Sequence, residues 1–172
     1  MKLGNPIREI RTINRLFTGA EAEAQAAGES IPGAEHLLLS ALAFSEGSAR
    51  RAFERIGIDP AGLRPAIAAQ YVDALRVIGI GPVSDELLDV PASKGVVANR
   101  RLFRATASAD AAFRAAVALA KAKKPSRLVG AHIVAAVAQQ EHGTAARALR
   151  AMGVDRHALA TAAQQEFDLG DR

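Results

Sequence analysis

His36 follows Glu35, and a second histidine, His132, stands a shift of 96 residues further on, behind Ala131. A metal or catalytic role for either imidazole needs converging partners, and no set of His, Asp and Glu is spaced like a ligand group. The spacing predicts structural histidines instead, each satisfying a loop carbonyl and bracing the loop before a helix. Glu35 reads as an acid in the first turn of a helix, where the helix dipole favours it. His142 and His157 read as exposed helix-end residues. The chain has no cysteine, which removes disulfides, thiolate metal sites and a cysteine nucleophile. There is no GxSxG elbow, no HExxH pair and no GxxxxGK[ST] phosphate loop. Glu21 and Glu23 are two apart and point away from each other on a helix. These side chains predict neither an enzyme nor a cofactor.

The elements that must carry these residues are helices. Among 172 residues there are 39 alanines, only 4% aromatics, one tyrosine and no tryptophan. Alanine favours helix, whereas strands prefer β-branched and aromatic residues. The expectation is an all-α protein with small-residue contacts, one domain over residues 1–172. No apolar run approaches the ~18 residues that span a bilayer. The segment MKLGNPIREIRTINRLF is too broken by charge for a secretory signal, so no membrane and a cytoplasmic location are expected. The net charge is +4, with clusters at Arg100, Arg101 and Arg104 and at Lys121, Lys123, Lys124 and Arg127. Only Phe103 and Phe113 lie near them, so they read as solvated helix ends. A nucleic-acid-associated helical protein using these clusters is the alternative from another class.

Periodicity predicts helices over 7–27, from 34, over 48–56, and from Asp59-Pro60 to about 71. Asp59 as N-cap before Pro60 is a preferred helix start. A connector, about 72–101, holds the breakers Gly79, Gly81 and Pro82. Helical patterns resume at 102–123, near 132, near 145 and over 156–167. Shifted by 96, the two stretches superpose without a gap. Phe17 falls on Phe113, Ser30 on Ser126, His36 on His132 and Gly47 on Gly143. Arg51 falls on Arg147, Gly57 on Gly153, Asp59 on Asp155 and Leu63 on Leu159. The caps and turn glycines in this set are not explained by composition. Two four-helix repeats, about 7–71 and 102–167, follow; each is too small for a good core alone. They are expected to share an interface about a pseudo-twofold axis.

The ordered set Gly33-Ala34-Glu35-His36-Leu37-Leu38-Leu39, then Glu46-Gly47 and Gly57-Ile58-Asp59, resembles the repeat of the Clp ATPase amino-terminal domain. The second copy has His132-Ile133-Val134, Gly143-Thr144-Ala145-Ala146 and Met152-Gly153-Val154-Asp155. The resemblance covers about 9–70 and 102–166. It implies a non-catalytic protein- and peptide-binding module, free-standing without the ATPase. Such a module would be a regulator, adaptor or decoy for Clp proteolysis. Its implied partners are Clp protease components, adaptors, arginine-phosphorylated proteins or cyclic-peptide toxins. Relatives bind phosphoarginine through the Glu of each Gly-Thr-Glu-His motif, and Glu35 matches the first of these; Ala131 departs from the second. Thr106 matches a threonine beside the ligand groove, where Ile10 departs in the first unit. Phe103 matches an aromatic beside which cyclic peptides and adaptors bind.

Overall fold

The computed structural model describes residues 6–77, 104–122 and 127–169. The helices are α1 (Pro6–Ala26), α2 (Ala34–Leu42), α3 (Ser48–Arg55), α4 (Leu63–Val77), α5 (Ala107–Lys121), α6 (Gly130–Ala138), α7 (Thr144–Ala151) and α8 (Arg156–Leu169). No strand occurs among the described residues. The stops between α3 and α4 and between α7 and α8 are built alike. Gly57 and Gly153 have φ of 71° and 72°, left-handed backbone that a Cβ disfavours by roughly 1–2 kcal/mol. Asp59 then accepts from Ala61 N at 2.9 Å, and Asp155 accepts from His157 N at 2.8 Å.

Three boundaries differ from the periodicity. Asp59-Pro60 opens a short 3-10 turn, Pro60–Gly62, before α4 begins. The first part of the expected connector, 72–77, continues α4; its remainder, 78–101, lies outside the described residues. Helix α5 starts at Ala107 because the Thr106 side chain caps it, accepting from Ala109 N at 3.3 Å. Residues 104–106 are therefore extended, not helical, while 102, 103 and 123 lie outside the described residues.

Helices α2 and α6 form the centre. Eight of nine residues of α2 are buried, and all nine of α6. They pack on each other, with α1 against α2 and α5 against α6. The remaining helices exchange partners across the repeats: α3 packs on α8 and α4 on α7. The equivalent residues Phe17 and Phe113 meet with ring centroids 4.7 Å apart, as residues beside a pseudo-twofold axis do. The core depends on a few large side chains, among them Leu37, Leu38, Phe53, Leu63, Leu149 and Leu159, all fully buried. Each contributes roughly 1.5–3 kcal/mol by burial, while alanines set the spacing. At Gly19 a Cβ would collide with the Ser40 hydroxyl, so glycine there lets α1 lie close on α2. That hydroxyl donates to Leu16 O at 2.9 Å.

The symmetry is imperfect. Helix α8 lies along α6, whereas α4 touches α2 only lightly. A cleft between α1, α2 and α4 results.

Candidate functional site at the seam of the repeats

In the loop before each central helix a histidine bonds to the backbone, with the opposite hydrogen-bond polarity to the one expected. His36 Nδ1 accepts from Gly33 N at 2.9 Å, and His132 Nδ1 accepts from Val129 N at 3.1 Å. Each imidazole satisfies an amide N–H, not the expected carbonyl, because it sits at the third position of its helix and reaches back to the orphan donors of the first turn. Both histidines are buried. Burial lowers the pKa of His36, against the opposing pull of Glu35, Glu29 and Glu23. It is neutral at pH 7.

Glu35 is buried in the first turn of α2, at 7% exposure. Its Oε1 accepts from Tyr71 Oη at 2.9 Å and lies 3.8 Å from His36 Nδ1. A Cβ at Gly33 would collide with this carboxylate, so the glycine gives it room. Tyr71 comes from the far part of α4. Its pKa is pushed up first by burial, then by the Glu35 charge and hydrogen bond; Arg147 of α7 opposes this. Arg147 is thus electrostatically coupled to the same cluster from the other repeat, and its guanidinium is lightly held, by Thr144 Oγ1 at 3.2 Å.

Thr106 joins the site through its backbone. Its N–H donates to Pro32 O at 3.0 Å, bringing the start of α5 against the loop before α2. Its exposed hydroxyl caps α5 and lies 2.9 Å from Ser108 Oγ. Phe103 lies outside the described residues. So Glu35, His36 and Thr106 gather at one seam, and His132 stands at the equivalent place in the other repeat.

The second seam is built differently. Ala131 is fully buried, and its N–H donates to Ser48 Oγ at 2.9 Å. Gly130 N donates to Glu46 Oε1 at 2.6 Å, and Ser48 N to Glu46 Oε2 at 2.7 Å. A carboxylate from the α2–α3 loop therefore occupies the N-terminus of α6. His132 stacks on Phe167, with centroids 4.2 Å apart and rings 10° from parallel.

Sequence reasoning missed Tyr71, although a signal existed. Under the shift of 96, Tyr71 falls on Phe167 and Glu35 on Ala131. The phenol hydroxyl is present where the carboxylate is, and both are absent together. Of the basic clusters, Arg100, Arg101, Lys123 and Lys124 lie outside the described residues, and Arg104, Lys121 and Arg127 are exposed. Among the described residues, no group of His, Asp and Glu could hold a metal ion. No helix among them is long and apolar enough to cross a membrane.

A search of the curated proteins finds no significant match. Among solved structures, the N-terminal domain of the caseinolytic protease associated chaperone ClpD from Arabidopsis thaliana is similar in fold. The TM-score is 0.59 at 19% identity, covering 94% of this chain and 92% of that one. The family model for the Clp repeat (R) N-terminal domain matches residues 11–90 and 104–172. In Clp ATPases this domain binds substrates and adaptors. Two four-helix repeats, equivalent braced histidines and a family match over most of its length together place the chain in the Clp repeat N-terminal domain family.

Proposed function

We propose that this chain is a non-catalytic recognition module for protein and peptide partners, acting as a regulator, adaptor or decoy in Clp proteolysis. The observation that carries the reading is the buried carboxylate of Glu35 at the seam, held by Tyr71, with the extended segment ending at Thr106 bonded to the loop before α2. A carboxylate pairs well with a guanidinium, since two N–H donors meet two oxygens. Tyr71 engages one oxygen, and a carboxylate has roughly four acceptor sites. Arg147, on the other repeat and within electrostatic reach of Tyr71, would supply positive charge for a phosphoryl group. The combination suits phosphoarginine, which carries both charges. The reading assigns one such anchor, since Ala131 is apolar and Glu46 already holds the α6 N-terminus.

Native capture tests the role. The chain should enrich Clp components, adaptors or arginine-phosphorylated proteins from a lysate, and free phosphoarginine should displace the last of these. Recovery of nucleic acid alone, lost steeply with added salt, would support the other reading.

A further inference from the structure

His36, which lines the cleft left by α4, carries a buried polar atom that the anchor at Glu35 does not use. The cleft holds about 390 Å³, and its walls include Leu39, Ile67, Ala68, Tyr71 and His36. His36 is 1% exposed, and its Nε2 has no hydrogen-bond partner. Because Nδ1 accepts from Gly33 N, the neutral ring carries its proton on Nε2. An unpaired buried donor of this kind is rare in native folds and calls for a partner. Arg64 and Glu23 close the rim with an ion pair. Three carboxylates, Glu35, Glu29 and Glu23, act on His36, and only Glu23 is neutralised by the rim arginine. At His36 itself, where these carboxylates act, a neutral acceptor is better suited than an anionic one; Arg147 acts on Tyr71.

The other repeat provides an internal control. There Leu119 and Ala160 replace Glu23 and Arg64, Ala163 replaces Ile67, and α8 lies along α6. The second repeat thus has apolar residues at these positions under a closely packed α8, and the first repeat has no such packing of α4 on α2.

We infer that the cleft is a recognition subsite for an apolar residue of a protein partner, whose neutral backbone carbonyl accepts from His36 Nε2–H. This deepens the reading of the chain as a peptide-binding module but does not depend on phosphoarginine. The test uses the full chain and N-acetyl-leucine N-methylamide, followed by imidazole and methyl NMR. The His36 Nε2–H signal and the Leu39 and Ile67 methyls should shift saturably. Ala68 is exposed on the cleft wall, so Ala68→Phe should fill the cleft without disturbing the core and abolish the shifts. N-acetyl-leucinate, carrying a carboxylate, should bind more weakly. Non-saturable shifts, an undiminished response in Ala68→Phe, or tighter binding of the carboxylate would overturn the inference. Phosphoarginine titrated in parallel separates the two proposals: its failure alone removes the Glu35 anchor and leaves the cleft.

Discussion

Glu35 and Tyr71 form a unit in which each explains the other. The carboxylate is buried, so it needs a donor, and the phenol supplies it at 2.9 Å. Tyr71→Phe should leave the ring packed, as Phe167 is in the equivalent place, and remove only that donor. The expected cost is about 1–3 kcal/mol, read as a lower urea midpoint. Tyr71 is the chain's sole tyrosine, so its phenolate absorbance reports one site. Because burial and Glu35 raise its pKa, phenolate should not appear near the ordinary value of 10.0 but only with alkaline unfolding. Titration at 10.0 in the folded protein would contradict the buried pair. His36 gives an acid-side prediction. Its folded pKa lies below the ordinary value of 6.5, so the unfolded chain binds the proton more readily. Its stabilising contribution is complete above 6.5 and is lost as the pH falls from there towards the folded value. Denaturation midpoints should decline through that window, and a flat profile would count against a neutral buried imidazole. The position of this residue was legible in the sequence, but its hydrogen-bond role was not. A histidine can accept or donate, and spacing does not say which.

Helix boundaries show what a sequence encodes locally. Gly57, Asp59, Gly153 and Asp155 were readable because left-handed backbone and caps demand particular residues. The start of α5 was misplaced because an apolar period does not reveal that Thr106 turns outward as a cap. Contacts between elements distant in the chain were not legible at all. Glu46 and Ser48 cap α6 from 84 and 83 residues away. Glu166 of α8 is bound by Arg51, at 2.6 Å, and by Arg55 of α3. Burial alone would raise the Glu166 pKa, but the two guanidiniums outweigh it and the net shift is downward. Its stabilisation is therefore complete above the ordinary value of 4.5 and is lost as the pH falls further. The arginines are substantially solvated, so its loss should be modest. Gly130→Ala should cost more. A Cβ there would meet Ala49 Cβ at 2.9 Å and Ala41 O and Glu46 Oε1 at 3.0 Å. Overpacking of this kind costs about 1–3 kcal/mol, expected as a lower thermal midpoint with α6 still helical by NMR.

At the scale of the molecule, the exchange of α3 and α4 between repeats makes the two halves mutually dependent. Fragments 1–77 and 104–172 should each be largely unfolded by circular dichroism, while the full chain unfolds in one transition. The repeat itself was visible in the sequence, since cap residues recur at one offset. The departure from symmetry was not, because it depends on α8 packing along α6 while α4, seated on α7 as α8 is on α3, touches α2 only lightly. That departure leaves the cleft beside Glu35 and Tyr71 in the first repeat. The most direct measurement is calorimetric titration of the full chain with phosphoarginine. The anchor at Glu35 requires saturable binding with one site per chain, abolished by Glu35→Ala and weakened by Arg147→Ala. No binding by the wild-type chain, or undiminished binding by Glu35→Ala, would contradict it.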